Sequence, residues 1–191
     1  FNKKKACLSE GKEGKTYIMN VKLSLHNAAL SRIPKRNEIA KISKEIADSQ
    51  CSADIQEIAV KIGESSHTFC PAVFKDGERK ADKFMQMQLF ALDFDNGVTF
   101  DEVKKCAHSY RLPIAFAYET FSSTLEQPRF RIVFLNKVPV TDSHVAKIMI
   151  LMLLKIFEEA DGVCKDISHM FFGGKGLIDT VKEEYINILS L

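Results

Sequence analysis

The alternation of apolar and polar positions divides the chain into a helical opening and a more regular second half. Over Asn37–Gln50 the apolar residues Ile39, Ala40, Ile42, Ile46 and Ala47 follow the spacing of one helical face. Ser52 is positioned to cap a second helix, with Ile55, Ile58, Ala59 and Ile62 on one side and Gly63 at its stop. Thr68–Phe74 reads as a short extended piece. The polar loop Lys75–Lys83 follows, with Asp76-Gly77 as its turn signal. Gln88–Phe94 is short and strongly apolar, a buried strand that Asn96-Gly97 ends. Thr99 and Glu102 form a capping box for a helix that runs to Arg111, turns Val103 and Ala107 inward, and is broken by Pro113. Ile114–Thr120 is a second strand, Ser122–Gln127 a polar connection, and Arg129–Leu135 a third strand with period-two alternation. Thr141 or Asp142 caps a long helix through Glu159, apolar all round at its centre and therefore predicted to be buried. A last apolar piece, Met170–Phe172, ends at Gly173-Gly174.

This order is β-α-β-β-α-β, an α+β class with a ferredoxin-like, RRM-like core. An N-terminal, mainly helical α/β extension precedes it. The topology predicts the first and third strands side by side at the sheet centre and the fourth beside the first. Both helices would cover one face, leaving the other open unless the N-terminal segment covers it. The chain reads as one domain over residues 1–191: an N-terminal unit at 1–84, a core at 85–180, and a tail or linker at 181–191.

The length of 191 residues suits one domain, and 46% hydrophobic with 27% charged residues is an ordinary globular balance. A net charge of +2 does not announce a nucleic-acid binder. The positive charge is nevertheless clustered, at Lys3, Lys4, Lys5, Lys12 and Lys15 and again at Lys75, Arg79, Lys80 and Lys83. Five cysteines without a CxxC pair predict free thiols in a reducing compartment, hence a cytoplasmic protein. The longest apolar run, Ile148–Leu154, falls far short of the ~20 residues a membrane span needs, so no membrane partner is expected. The chain begins at Phe1 and shows no secretory signal, which reads as a trimmed piece of something longer.

Asp93 and Asp95 carry the strongest chemical signal. Two apart on a predicted strand, they leave on one face while Leu92 and Phe94 leave on the other. Adjacent carboxylates repel and resist desolvation, and a hard cation relieves both costs. Mg²⁺ favours one or two carboxylates plus water and substrate phosphates. The plainer alternative is a strand end whose acids face water. Arg129 and Arg131 repeat the logic with opposite sign on the neighbouring strand, as a clamp for a metal-bound triphosphate or as partners in a structural Asp–Arg bridge. Asp166, in KDISHMFFGGKG, would bring a third carboxylate, with His169 and Lys175 in reach of phosphate or base. Gly173-Gly174-Lys175-Gly176 is not a P-loop, because Gly176 stands where Ser or Thr is required. Ser122, Ser123 and Thr124 could donate hydrogen bonds to phosphate.

Together these segments resemble the archaeo-eukaryotic primase superfamily, and more narrowly the primase domains of bacterial plasmids, phages and integrated elements. FALDFDNG resembles the first motif, an acidic pair on a strand; FSSTLEQPRFRIVF the second, which handles the nucleoside triphosphate; KDISHMFFGGK the third. The match spans residues 67–176. It departs from the family twice. Arg131 stands near the place of the histidine in a Ser-x-His, and His169 follows the third acid where related sequences often have Arg. The resemblance implies a DNA-templated nucleotidyltransferase, a primase-polymerase that makes or extends primers for a mobile element. Asp93, Asp95 and Asp166 would be catalytic and hold Mg²⁺ or Mn²⁺. Ser122, Ser123, Arg129, Arg131, His169 and Lys175 would contact the nucleotide, and Lys75, Arg79, Lys80 and Lys83 the nucleic acid. Partners would be a single-stranded DNA template, nucleoside triphosphates and a helicase domain or protein.

Two other readings stay open. LDFDNGVT resembles the DxDGT signature of haloacid-dehalogenase phosphatases, though Asn96 interrupts it before the glycine and the motif sits mid-chain. A non-catalytic replication-initiator or nucleic-acid-binding domain could use the same open face.

Overall fold

The structure is a computed structural model, described here over residues 20–187. The expected lysine cluster Lys3, Lys4, Lys5, Lys12 and Lys15 lies outside the described residues, as does Cys7. In chain order the elements are β1 (Val21–Ala29), α1 (Arg36–Glu45), β2 (Gln50–Ala53), α2 (Ile55–Ala59), β3 (His67–Cys70), β4 (Ala72–Phe74), β5 (Phe84–Phe94), α3 (Phe100–Ser109), β6 (Phe116–Glu119), β7 (Phe130–Val140), α4 (Ser143–Ile156), β8 (Gly176–Leu177) and β9 (Tyr185–Ile186).

Two sheets result. A three-stranded antiparallel sheet runs β2-β1-β3. The larger sheet runs β4-β5-β7-β6-β8, all antiparallel, and β9 adds to β7 in parallel. Pro71 separates β3 from β4, so the expected single extended piece is two short strands, one in each sheet. A proline lacks the N–H a ladder needs, and the chain changes sheets there.

The α+β class stands, and the order β5-α3-β6-β7-α4 matches the expected core, with β5 and β7 paired at the sheet centre. The outer positions are filled differently. β4, from the N-terminal unit, flanks β5 where the last strand was expected. Phe171 instead bridges Phe69 of β3, its N–H and carbonyl each bonded to that residue at 2.8–2.9 Å. The first sheet also lies in the stretch read as mainly helical. Both expected helices are present, but β1 and β2 surround α1. Asp54 rather than Ser52 caps α2, accepting from the Glu57 N–H at 2.8 Å. Gly63 sits inside the widened last turn of that helix, where a Cβ would strike Leu177, and the chain turns at Ser66 with φ 60°. The end of the chain, expected as a tail or linker from 181, is tied down as far as Ile186 through β9 and a Lys182 N–H bond to Ala115.

The register sorts β5 and β7 into two chemical faces. Phe90, Leu92 and Phe94 stand opposite Phe134, Ile132 and Phe130. On that face Phe94 stacks on Phe130, and Phe157 closes over Phe94 and Phe134 from the end of α4. Thr99 caps α3 through the expected box with Glu102, setting Phe100 edge-on to Phe130. α4 is capped by Asp142, which accepts from two backbone N–H groups. Only its inner side is buried; Ile148 and Leu151 on its outer side are 54% and 45% exposed, so the expectation of all-round burial does not hold.

Candidate active site

The second face carries charge. Asp93, next to last in β5, pairs with Arg131 of β7, and Tyr118 of β6 pairs with Arg131 from the other side. Period two therefore stacks an acid, a guanidinium and a phenol in one row across three strands. Nη2 of Arg131 donates to Oδ2 of Asp93 at 2.7 Å, and Nη1 donates to the Phe172 carbonyl at 2.6 Å. The Tyr118 hydroxyl donates to that same carbonyl at 3.1 Å. The guanidinium lies between the Tyr118 and Phe171 rings, 5.9 and 5.7 Å from their centroids. The pair is largely shielded, with side-chain exposures of 12% for Arg131 and 16% for Asp93, and the buried Nε of Arg131 has no partner. Of the two readings left open for Arg131, the Asp–Arg bridge is present. The backbone of Asp93 is fixed as well, its carbonyl accepting from the Asp161 N–H at 2.8 Å.

Asp95 stands one step beyond the last ladder pair, exposed, with only its backbone carbonyl engaged by Gln127. Continuing the register past Phe94–Phe130 sets Arg129 across from Asp95, yet no ion pair joins them, and the buried Nε of Arg129 is unpartnered. The strand end thus carries an exposed carboxylate at the register position opposite Arg129, whose Nε is buried.

The segment 166–174 forms a strap over this face. Asp166 is exposed, and its Oδ1 accepts from the Ser168 N–H and hydroxyl at 2.9 and 2.8 Å. The strap bridges β3 rather than β5, and Asp93 and Asp166 both act electrostatically on His169 within it. Among the described residues no three His, Cys, Asp or Glu side chains come together as a metal site. His169 stands edge-on to Phe171 at 4.6 Å. Burial, and then the Arg131 charge, hold its imidazole below the usual value, while Asp93 and Asp166 pull weakly the other way. Cys164 is buried beside the Asp93 backbone; burial pushes its thiol up to about 12, so it stays protonated and inert.

The remaining expected residues divide. Ser122 joins Thr120, Arg131, Ile33, Phe121, Phe172 and Gly173 around a cleft of about 120 Å³. Ser123 and Lys175 belong to the opposite face. Glu119 pairs with Phe130, accepts from the Ser123 hydroxyl at 3.1 Å, and lies 3.7 Å from the Lys175 ammonium, which also donates to the Ser123 carbonyl. Arg79 is half-buried and donates to the Ser168 carbonyl and, at 2.6 Å, to the Ser43 hydroxyl. It thus ties the strap to α1 rather than standing in solvent. Lys80 and Lys83 pair with Glu78 and Asp76 at 2.7 Å, which dilutes the basic loop.

Sequence reasoning missed Tyr118 and the Phe172 carbonyl. Tyr118 could have been found, because it puts a phenol on the strand that neighbours Arg131. The Phe172 carbonyl has no sequence signal.

A solved structure shares the fold over most of the chain. It is the AEP domain of the cyanophage S-2L primase-polymerase (PrimPol), with a TM-score of 0.52 and 12% identity over 91% of this chain and 86% of that one. The two chains share a fold. No protein-family model and no curated protein sequence matches the chain. The phosphatase reading requires a doubly wound parallel sheet, whereas β4 to β8 pair antiparallel throughout. No helix among the described residues is long and apolar enough to cross a membrane, and Cys51, Cys70, Cys106 and Cys164 are free thiols.

Proposed function

We propose that this chain is a DNA-templated nucleotidyltransferase, a primase-polymerase domain that makes or extends primers during replication of a mobile element. One observation carries the reading. In a fold shared with a primase-polymerase domain, Asp93 and Asp95 end the central strand with Arg131 paired beside them.

The donor set fits a hard divalent ion completed by substrate. Two carboxylates at i and i+2, one of them exposed and uncommitted, are the protein share Mg²⁺ or Mn²⁺ takes when phosphates and water supply the rest. Asp93 and Asp95 would hold the ion, with Asp166 as a further carboxylate from the strap. Bound there, the ion would make the primer 3′-hydroxyl more acidic and offset charge on the triphosphate. The chain's own part is to bind and orient. Arg131 and Arg129 offer guanidinium N–H groups to phosphate oxygens, and the Ser122 hydroxyl adds a donor at the cleft mouth. His169, its imidazole held below the usual value by burial and the Arg131 charge, can donate to base or phosphate. Ser123 and Lys175 would reach a nucleotide only from the other side of β6. Lys75, Lys80 and Lys83 would follow the single-stranded template with a salt-dependent affinity, with Arg79 of the same loop holding the strap in place. A helicase domain or protein would be the natural supplier of that strand.

A non-catalytic nucleic-acid-binding domain is favoured by one fact, that Asp93 is already paired with Arg131. Incorporation of labelled nucleotides on a single-stranded template with Mn²⁺ or Mg²⁺ separates the readings. Incorporation that vanishes in Asp93→Ala/Asp95→Ala supports the enzyme. A folded native chain inert with and without a primer supports the binding domain.

A further inference from the structure

The second carboxylate of the site is free and the first is not. Asp95 is exposed, whereas Asp93 gives Oδ2 to a guanidinium that is itself held by the Phe172 carbonyl and flanked by two rings. An incoming cation therefore meets a position where positive charge already sits. Removing one member of a shielded ion pair leaves the other uncompensated, so Asp93 holds its partner until something replaces it. Arg131, for its part, keeps a buried Nε without a partner among the described residues, and its side chain lines the cleft together with Ser122, Thr120 and Gly173. Ile33, Phe121 and Phe172 supply the cleft's apolar walls, and its polar side chains are Ser122, Thr120 and Arg131 with no carboxylate among them, so the one charge facing a ligand there suits an anion.

We propose that Arg131 is the resident counter-cation of Asp93, and that the triphosphate must draw it away before a divalent ion can occupy that carboxylate. The inference rests on the nucleotidyltransferase reading and adds an order to it: nucleotide phosphate engages Arg131 first, and tight metal binding follows. A site without substrate then holds metal weakly, and metal and nucleotide favour each other by linkage. Arginine at this position is essential to the device. A neutral side chain would leave Asp93 open to metal at all times, and a lysine would lack the planar fork whose two Nη atoms reach Asp93 and the Phe172 carbonyl.

The test is Mn²⁺ binding without nucleotide, followed by the magnetic resonance signal of free Mn²⁺, in the native chain, Arg131→Gln, and Arg131→Gln with Asp93→Asn. The expected result is at least tenfold tighter Mn²⁺ binding in Arg131→Gln than in the native chain, with the gain lost on adding Asp93→Asn. Equal affinity in the native chain and a folded Arg131→Gln, reduced in both by Asp95→Asn, overturns the gating while leaving the metal site intact. No Mn²⁺ binding by a folded Arg131→Gln overturns the metal site and the proposal with it. Should Arg131→Gln not fold, the native chain still decides. The Arg131 Nε–H resonance, assigned through bonds, is expected to shift with metal-free nucleoside triphosphate and not with Mg²⁺ alone. An equal shift with Mg²⁺ alone overturns the proposal.

Discussion

Arg131 and Asp93 face each other across β7 and β5, 2.7 Å apart and mostly out of water, while Asp95 two residues on stands in solvent with no side-chain partner among the described residues. Chemistry and folding therefore load the two aspartates differently. Asp95 has no structural task, so its removal reports function alone.

Asp93→Ala is expected to destabilise the fold by about 2–4 kcal/mol, because it leaves a shielded guanidinium without its counter-charge. Asp95→Ala is expected to change stability by less than ~0.5 kcal/mol, as an exposed substitution does. Urea denaturation of the two variants checks the split. Nucleotide incorporation should fall at least a hundredfold in both if the pair holds the ion. Loss of activity in Asp95→Ala with native stability is the informative combination.

Gly173 belongs to a close backbone crossing rather than to a phosphate loop. A Cβ there would run into the main chain of Ser66 and His67, whereas Gly176 faces open space. The adjoining Phe172 carbonyl is the one that Arg131 and Tyr118 both use. Gly173→Ala is expected to cost about 1–3 kcal/mol through overpacking and to weaken nucleotide binding by displacing that carbonyl. Gly176→Ala should be near neutral in both respects. Thermal unfolding and nucleotide titration of the two variants test this.

His169 ties stability to pH. Burial and the Arg131 charge lower its folded value below the ordinary 6.5. Between the folded value and 6.5 the unfolded chain binds more protons than the folded one, so stability rises with pH through that window. The contribution is fully present above 6.5 and is lost as pH falls towards the folded value. His169→Gln should flatten the stability curve over that window and leave it unchanged at pH above the window. Denaturation of native and variant chains across weakly acidic pH checks it.

The central strands were legible because their patterns admit one register. Phe94, Phe130 and Phe134 had to share a buried face, which left Asp93 and Arg131 together on the other. The capping box at Thr99 and the break at Pro113 were equally local and equally readable. β1 carried a readable signal too, with Val21, Leu23 and Leu25 buried and Lys22 exposed, but its partners β2 and β3 lie far along the chain. Met170–Phe172 failed for a different reason. Three apolar residues fix neither a partner nor a register, and main-chain bonds to Phe69 decided the matter.

The division of the hydroxyl loop gives the sharpest test of where a nucleotide lies. Ser122 opens on the cleft beside Arg131, and Arg129 carries an unpartnered nitrogen at the same strand end. Ser123 and Lys175 are bound to Glu119 on the far side of the sheet, where they hold β6 to the chain after the strap. If phosphate enters through the cleft, Arg129→Ala should raise the nucleotide KM at least tenfold, because a charge-assisted bond is lost. Ser122→Ala should raise it less, by a few-fold, because one neutral donor is lost. Ser123→Ala and Lys175→Ala should leave KM within about threefold of native and show instead as small losses of stability. Steady-state incorporation with varied nucleotide, read beside urea denaturation of the same four variants, separates the two faces. A large KM effect confined to Lys175→Ala would place the triphosphate against Glu119 and move the site to the other side of the sheet.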